Sequence, residues 1–159
     1  MSPATSIAAL NRAGARSIAV DLADGGSALV RVTDDGVGMA EEDLPLALER
    51  HATSKLERDE DLDAIGTLGF RGEALPAICA VSRFTVVSRA RGAPEGLRLV
   101  GEGGRVVQRL AIPCELGTTV EVRDLFFNTP ARLKFLKSPP TEVAAAMRAA
   151  RRLPRRRSC

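Results

Sequence analysis

The chain has no tryptophan and no tyrosine, and aromatic residues make up only 3% of it. Its core must be aliphatic, and a platform of rings for stacking single-stranded nucleic acid has little to stand on. There is a single histidine, His51. That excludes a histidine-rich metal centre and leaves a Ser-His-Asp triad only one candidate centre. The cysteines, Cys79, Cys114 and Cys159, are scattered and form no CxxC pair. Such a set argues against a disulfide framework and against a cysteine zinc site, and it fits a reducing, cytoplasmic setting. No apolar run is long enough to cross a bilayer. The opening MSPATSIAAL lacks the basic start and long apolar stretch of a signal peptide.

What remains is an ordinary globular composition: 159 residues, 45% hydrophobic and 27% charged, enough for one domain with a sizeable core. The net charge of +3 conceals an asymmetry, because Arg148, Arg151, Arg152, Arg155, Arg156 and Arg157 crowd the end without an acid among them. The body is thus mildly acidic and the tail strongly basic. A solvated end is the plain reading of that tail, and electrostatic contact with nucleic acid is the other.

Periodicity gives the elements. SIAVDL (17–22) alternates as a strand, Asp24-Gly25-Gly26 signals a turn, and ALVRVTD (28–34) completes a hairpin. Residues 39–50 have helical spacing, with Leu44, Leu46 and Leu48 among the apolar positions. Glu41, Glu42 and Asp43 lie near the start, where the dipole favours them, and Pro45 falls in the first turn. Residues 50–72 are polar, mixed in sign and punctuated by glycine, which predicts a long loop of the functional or disordered kind, with a short helix at 59–65. EALPAICA (73–80) reads as a short helix bent or interrupted at Pro76. FTVVSRA (84–90) is a strand, 96–112 a hairpin about Gly103-Gly104, and TTVEVRDLF (118–126) another strand. Residues 141–153 are alanine-rich and helical, stopped by Pro154. The order predicts an α/β two-layer sandwich with a mixed or mostly antiparallel sheet, without internal repeats or a second domain.

Three stretches carry chemistry. DDGVGM (34–39) lacks the alternating oxygen ligands and closing glutamate of a calcium loop. Its glycines would let the backbone approach a flat ligand, and a carboxylate at a strand end can accept from an exocyclic amine; taken alone, a plain turn is the default. GTLGFRGEAL (66–75) spaces three glycines before a helix. That is either an anion nest suited to a triphosphate or a flexible loop with a helix start; it is neither a P-loop nor a GxGxxG fingerprint. RHATSKL (50–56) offers hydroxyls and a lysine that could bond phosphates or cap a turn, and His51 has no evident partner. Thr118 and Thr119 at a strand start are either β-formers or the lining of a base pocket opposite Asp34.

In this order, DDGVG, RHATSKL, GFRGEALPAI and VRDLFFNTPARLKFL resemble the ATPase domain of the MutL family of DNA mismatch-repair proteins, a branch of the GHKL ATPases. The resemblance runs from about residue 13 to about 142. It implies the GHKL (Bergerat) fold, a two-layer α/β sandwich whose mixed, mostly antiparallel sheet carries helices on one face. It divides the chain into a divergent segment 1–12, an ATP-binding domain 13–142 and a divergent basic tail 143–159. By position, Asp34 would accept the adenine amine. Gly36 and Gly38 would let the backbone approach the base and ribose, and Thr119 would join the Asp34 side of the pocket. Residues 50–75 would form the lid, in which Thr53, Ser54 and Lys55, then Gly69, Phe70, Arg71, Gly72 and Glu73, wrap the phosphates of ATP. Asn128, Thr129, Pro130, Ala131 and Arg132 match the motif after the last strand.

The chain also departs from that family. Asp35 stands where Asn is usual. A helix reading like ELVENSLDAGA normally precedes the first hairpin, its Glu activating water and its Asn holding Mg2+. Here AGARSIAVDL (13–22) matches the end of that segment, and by spacing the Glu position reads Ala8 and the Asn position Ala9. Neither methyl can take a proton or bind a metal. The family's earlier helix and strand are missing, which predicts exposed apolar sheet surface. Beyond SPPTE the expected second domain, with its phosphate-contacting lysine and DNA groove, gives way to an arginine-rich end of the kind an out-of-frame reading yields. The resemblance implies a nucleotide-driven switch in mismatch repair, with homodimerisation, a MutS-type mismatch-recognition protein and DNA as partners. It also implies a bacterial-type cytoplasmic, nucleoid-associated location and no membrane. The alternative is a truncated, non-catalytic remnant that binds ATP weakly or not at all.

Overall fold

The structure is a computed structural model that describes residues 15–26, 28–49 and 74–134. Its framework is a six-stranded sheet. The strands are β1 (Ile18–Ala23), β2 (Leu29–Asp34), β3 (Arg83–Arg89), β4 (Gly96–Glu102), β5 (Arg105–Ile112) and β6 (Gly117–Arg123). Their order across the sheet is β1-β2-β6-β3-β4-β5. Every pairing among them is antiparallel, so the described sheet is not mixed. Three short helices accompany it: α1 (Asp43–Leu48), α2 (Ala74–Cys79) and α3 (Pro130–Leu133).

Alternation decides the faces. Along β2, β3 and β6 every second residue is buried, as period two demands of strands covered on one side. Val30, Val32, Phe84, Val86, Leu97, Leu99, Val120 and Val122 form the sheet half of the core, joined by Leu44 and Leu48 of α1 and Ile78 and Cys79 of α2. Both helices therefore lie on one face, where they pack against each other. The opposite face is polar. Arg31 reaches Glu121 at 2.7 Å, and Glu121 also accepts from Arg123 at 2.6 Å.

The helices depart most from what periodicity suggested. The stretch predicted as helix over 39–50 is helical only from Asp43 to Leu48, and Glu49 is already extended. Its third apolar position, Leu46, is half exposed, because so short a helix turns only Leu44 and Leu48 inward. In α2, Pro76 is the third described residue, and the Ala80 amide still bonds the Pro76 carbonyl at 3.0 Å. The described helix thus runs on through Pro76 to Cys79. The strand expected over 118–126 ends at Arg123. Asp124 and Phe126 take left-handed backbone conformations (φ 49° and 65°), and the chain turns away. The expected helices at 59–65 and 141–153 lie outside the described residues.

At the sheet edges, Ile18, Val20 and Leu22 of β1 pack partly buried against the core. The exposed apolar side chains fall instead on β5, at Val106, Val107 and Leu110.

Candidate functional site

One end of the buried face is polar. Asp34 closes β2, Thr118 is the second residue of β6 and Ser88 lies near the end of β3. The register makes Asp34 and Thr118 partners, and Thr118 and Ser88 partners. All three therefore point to the helix-bearing side in one row across three strands, and all three are buried. Because directly opposed residues bring their Cβ atoms to about 4.5–5.5 Å, the row forms a continuous strip of acceptors and hydroxyls beside an aliphatic core.

The residues after Asp34 fold over this strip. One carboxylate oxygen of Asp34 accepts the Gly36 amide at 2.8 Å, closing a tight turn. The Met39 amide then donates to Ser88 Oγ at 2.8 Å, pinning the far end of the loop to β3. The Arg91 amide donates to the Val37 carbonyl at 3.0 Å. Gly38, with φ 68°, passes so close to β3 that a Cβ would lie 1.9 Å from the Arg89 carbonyl oxygen. Gly117 is held equally tightly at the start of β6: its φ is 117°, and a Cβ would meet the Asp34 carbonyl oxygen at 2.0 Å. No other residue fits either backbone position.

Asp34 is unusual for a buried acid. None of the ion pairs among the described residues reaches it. Burial raises its pKa above the ordinary carboxylate value; the Gly36 and Thr118 amides pull it down, and the charge of Asp35 pushes it up again. A desolvated carboxylate without a cation is an acceptor that still gains from a donor. Asp35 behaves oppositely. Its Oδ1 accepts the Arg16 and Ser17 amides at 2.7 and 2.8 Å, and those bonds, the Ser17 amide first, hold its pKa below the ordinary value. It fastens the start of β1 to the end of β2, a role an Asn carbonyl would fill as well.

The structure thus brings Asp34, Gly36 and Gly38 together. It places Thr119 elsewhere: its side chain lies on the opposite face, within 3.2 Å of Thr33 Oγ1. Thr118 is the threonine on the Asp34 face, and Ser88 joins it. The paired threonines hid the choice, since only the strand register tells which of two neighbours faces in. Thr53, Ser54, Lys55, Gly69, Phe70, Arg71, Gly72 and Glu73, together with Ala8 and Ala9, lie outside the described residues. Among the described residues no group of three or more His, Cys, Asp or Glu side chains could hold a metal. Burial pushes the Cys79 thiol up to about 12, which removes it as a nucleophile.

The chain is similar to known proteins over most of its length. A family model described as histidine kinase-, DNA gyrase B-, and HSP90-like ATPase matches residues 9–101. The DNA mismatch repair protein MutL of Symbiobacterium thermophilum is 57% identical over 132 residues, which are 83% of this chain and 21% of that protein. Its counterpart in Geobacter sulfurreducens is 55% identical over 130 residues, 82% of this chain and 22% of that protein. The chain therefore spans about a fifth of the length of these curated relatives. Among solved structures, the Aquifex aeolicus MutL ATPase domain complexed with ADP superposes with a TM-score of 0.63 at 31% identity, covering 87% of this chain and 47% of that one.

Proposed function

Since the chain belongs to the histidine kinase-, DNA gyrase B- and HSP90-like ATPase family, in its MutL branch, we propose that it binds ATP through the Asp34 strip, with Asp34 accepting the adenine amine. The observation that carries this reading is a buried carboxylate with no cation partner among the described residues, at the sheet end where the Gly38 loop folds over β3 and Gly117 passes close to the Asp34 carbonyl. Thr118 takes the place first given to Thr119. The lid residues 53–55 and 69–73 would enclose the phosphates.

The magnesium of the family is not part of the proposed chemistry. The position that the resemblance assigns to its ligand reads Ala9, and a methyl group cannot bind a metal. The proposal is for binding rather than hydrolysis, because the position expected to supply the general base reads Ala8. At the scale of the longer relatives, whose printed names are DNA mismatch repair protein MutL, the reading extends to a nucleotide-driven switch in mismatch repair. Homodimerisation, a MutS-type protein and DNA would be the partners, and the cytoplasm the compartment. No described helix is long and apolar enough to cross a membrane.

A fluorescent ATP analogue titrated into the chain, with phosphate release followed on the same preparation, tests the proposal. Saturable binding is expected, weakened on the order of 10- to 100-fold by Asp34→Asn, the worth of a charged acceptor in a desolvated site. Absence of binding at millimolar nucleotide overturns it in favour of the non-binding remnant.

A further inference from the structure

We propose that β5 is a docking edge: it takes an extended acidic segment of a partner protein as a further strand of the sheet.

β5 ends the strand order and has β4 on one side only. An edge strand holds a row of amides and carbonyls that no ladder uses. Here the two faces are as bare as the edge. Seven of the eight residues are exposed and Ile112 is half-buried, and among the described elements only β4 packs closely along it. The register sorts the side chains. Arg109 and Ala111 oppose Leu99 and Leu97 on the helix-bearing face, and Gln108 and Leu110 oppose Val100 and Arg98 on the other. Val107 opposes nothing, because the ladder shifts between Val100 and Gly101, and it is 68% exposed. Such a bulge disrupts pairing locally, so 108–112 is the regular stretch that a new strand can follow.

Charge selects the strand. β5 carries Arg105 and Arg109 and no acid. Arg105 makes no ion pair among the described residues, and neither does Arg98, which opposes Leu110. Glu102, opposite Arg105, turns to Arg83 at 3.4 Å. Arg109 meets Glu41 at 2.9 Å, but both side chains are at least half exposed, so the pair is worth little and yields to an incoming carboxylate. A bulge and edge cations are devices that stop a strand from pairing with its own kind. A second β5 would set arginines among arginines, whereas acids laid along the same strand gain from them. Main-chain bonds along 108–112 supply the affinity, and alternate side chains the choice of partner. That choice is an acid against Arg109 on the helix-bearing face and an apolar residue beside Leu110 on the other, with Arg105 adding its attraction at the bulged end.

The test titrates the full chain into a fluorescein-labelled peptide of alternating valine and aspartate, read by anisotropy. Saturable binding is expected, and a peptide of alternating valine and lysine should bind on the order of tenfold more weakly. Arg105→Glu combined with Arg109→Glu is expected to invert that preference. A strand turns the backbone groups of alternate residues to opposite edges. N-methylating only the valines and only the aspartates should therefore differ, one abolishing binding and the other sparing it. This comparison needs no variant, so it decides the matter even where the charge-reversed chain fails to unfold cooperatively. Equal binding of the two methylated peptides overturns strand addition. Equal binding of the aspartate and lysine peptides overturns the acidic partner, and no binding at millimolar peptide overturns both. A second copy of this chain on the edge would show in ultracentrifugation as association that grows with concentration and is lost in Leu110→Lys, and that result also overturns the proposal.

Discussion

Asp34 and Asp35 are neighbours in sequence with opposite electrostatic fates. Asp34 is pushed up by burial and Asp35 is held down by the amides of Ser17 and Arg16. A carbon-detected carboxyl titration should place Asp34 above and Asp35 below the unfolded value of about 3.9. The sign for stability follows. A folded pKa above the unfolded one means that the native state resists ionising Asp34, so the penalty is complete above the folded value and fades as pH falls to the unfolded one. Asp34→Asn keeps an oxygen for the Gly36 amide and carries no charge. It should melt at or above the wild-type temperature at pH 7, the difference vanishing on acidification toward pH ~4, even as it loses nucleotide. A lower melting point at pH 7 would show that the carboxylate stabilises the fold. At this scale the sequence was partly legible. Asp34 and Gly38 stood out because glycine two residues after a turn glycine needs a reason. Ser88 carried no signal at all, since a serine in a strand reads as a solvent-facing residue until the register turns it inward.

At the scale of elements, the end of α2 is held more firmly than its length would suggest. The Ile78 carbonyl accepts from Ser82 Oγ at 2.7 Å, and the Cys79 carbonyl from the Gly104 amide at 2.8 Å. Beyond them, the Ala80 carbonyl takes Asn128 Nδ2 at 2.9 Å and the Val81 carbonyl takes the Phe126 amide at 2.6 Å. The β4–β5 turn and the residues after β6 thus satisfy the carbonyls that a helix leaves orphaned. Asn128→Ala should cost about 1 kcal/mol, the net value of one such bond, read by urea denaturation. Gly117→Ala should cost more, at least about 2 kcal/mol, because it adds a collision to a left-handed backbone; a midpoint unchanged in urea would contradict the close approach to Asp34. The strands were legible to within a residue because alternation over aliphatic positions is a strong pattern. The turn at 124–126 was not, since DLF continues the apolar rhythm of β6. Only the partner across the chain, the end of α2, makes the turn necessary.

At the scale of the molecule, β6 is the element on which the sheet depends. The β1–β2 hairpin and the β3–β4–β5 meander are each built from neighbours in sequence, and among the described residues no ladder joins them except through β6, which pairs with β2 on one side and β3 on the other. Val32, Val120 and Val86 make one row across that junction, each at most 3% exposed. The bond between Thr119 and Thr33 spans 86 positions, so the junction forms only after a long loop has closed, which places this topology among the slower folders. Removing β6 would do more than delete one strand. It would leave β2 and β3 as two new edges with unpaired amides and carbonyls, and it would strip the central valine row of its middle member. Residues 1–116 are therefore expected to show no cooperative urea transition and to self-associate, whereas the full chain unfolds in one step with an m-value suited to its size. Analytical ultracentrifugation alongside the denaturation curve decides it. A monomeric 1–116 fragment with a single sharp transition would mean that the two halves of the core hold together through α1 and α2 alone, and that β6 is an addition to the fold rather than its junction.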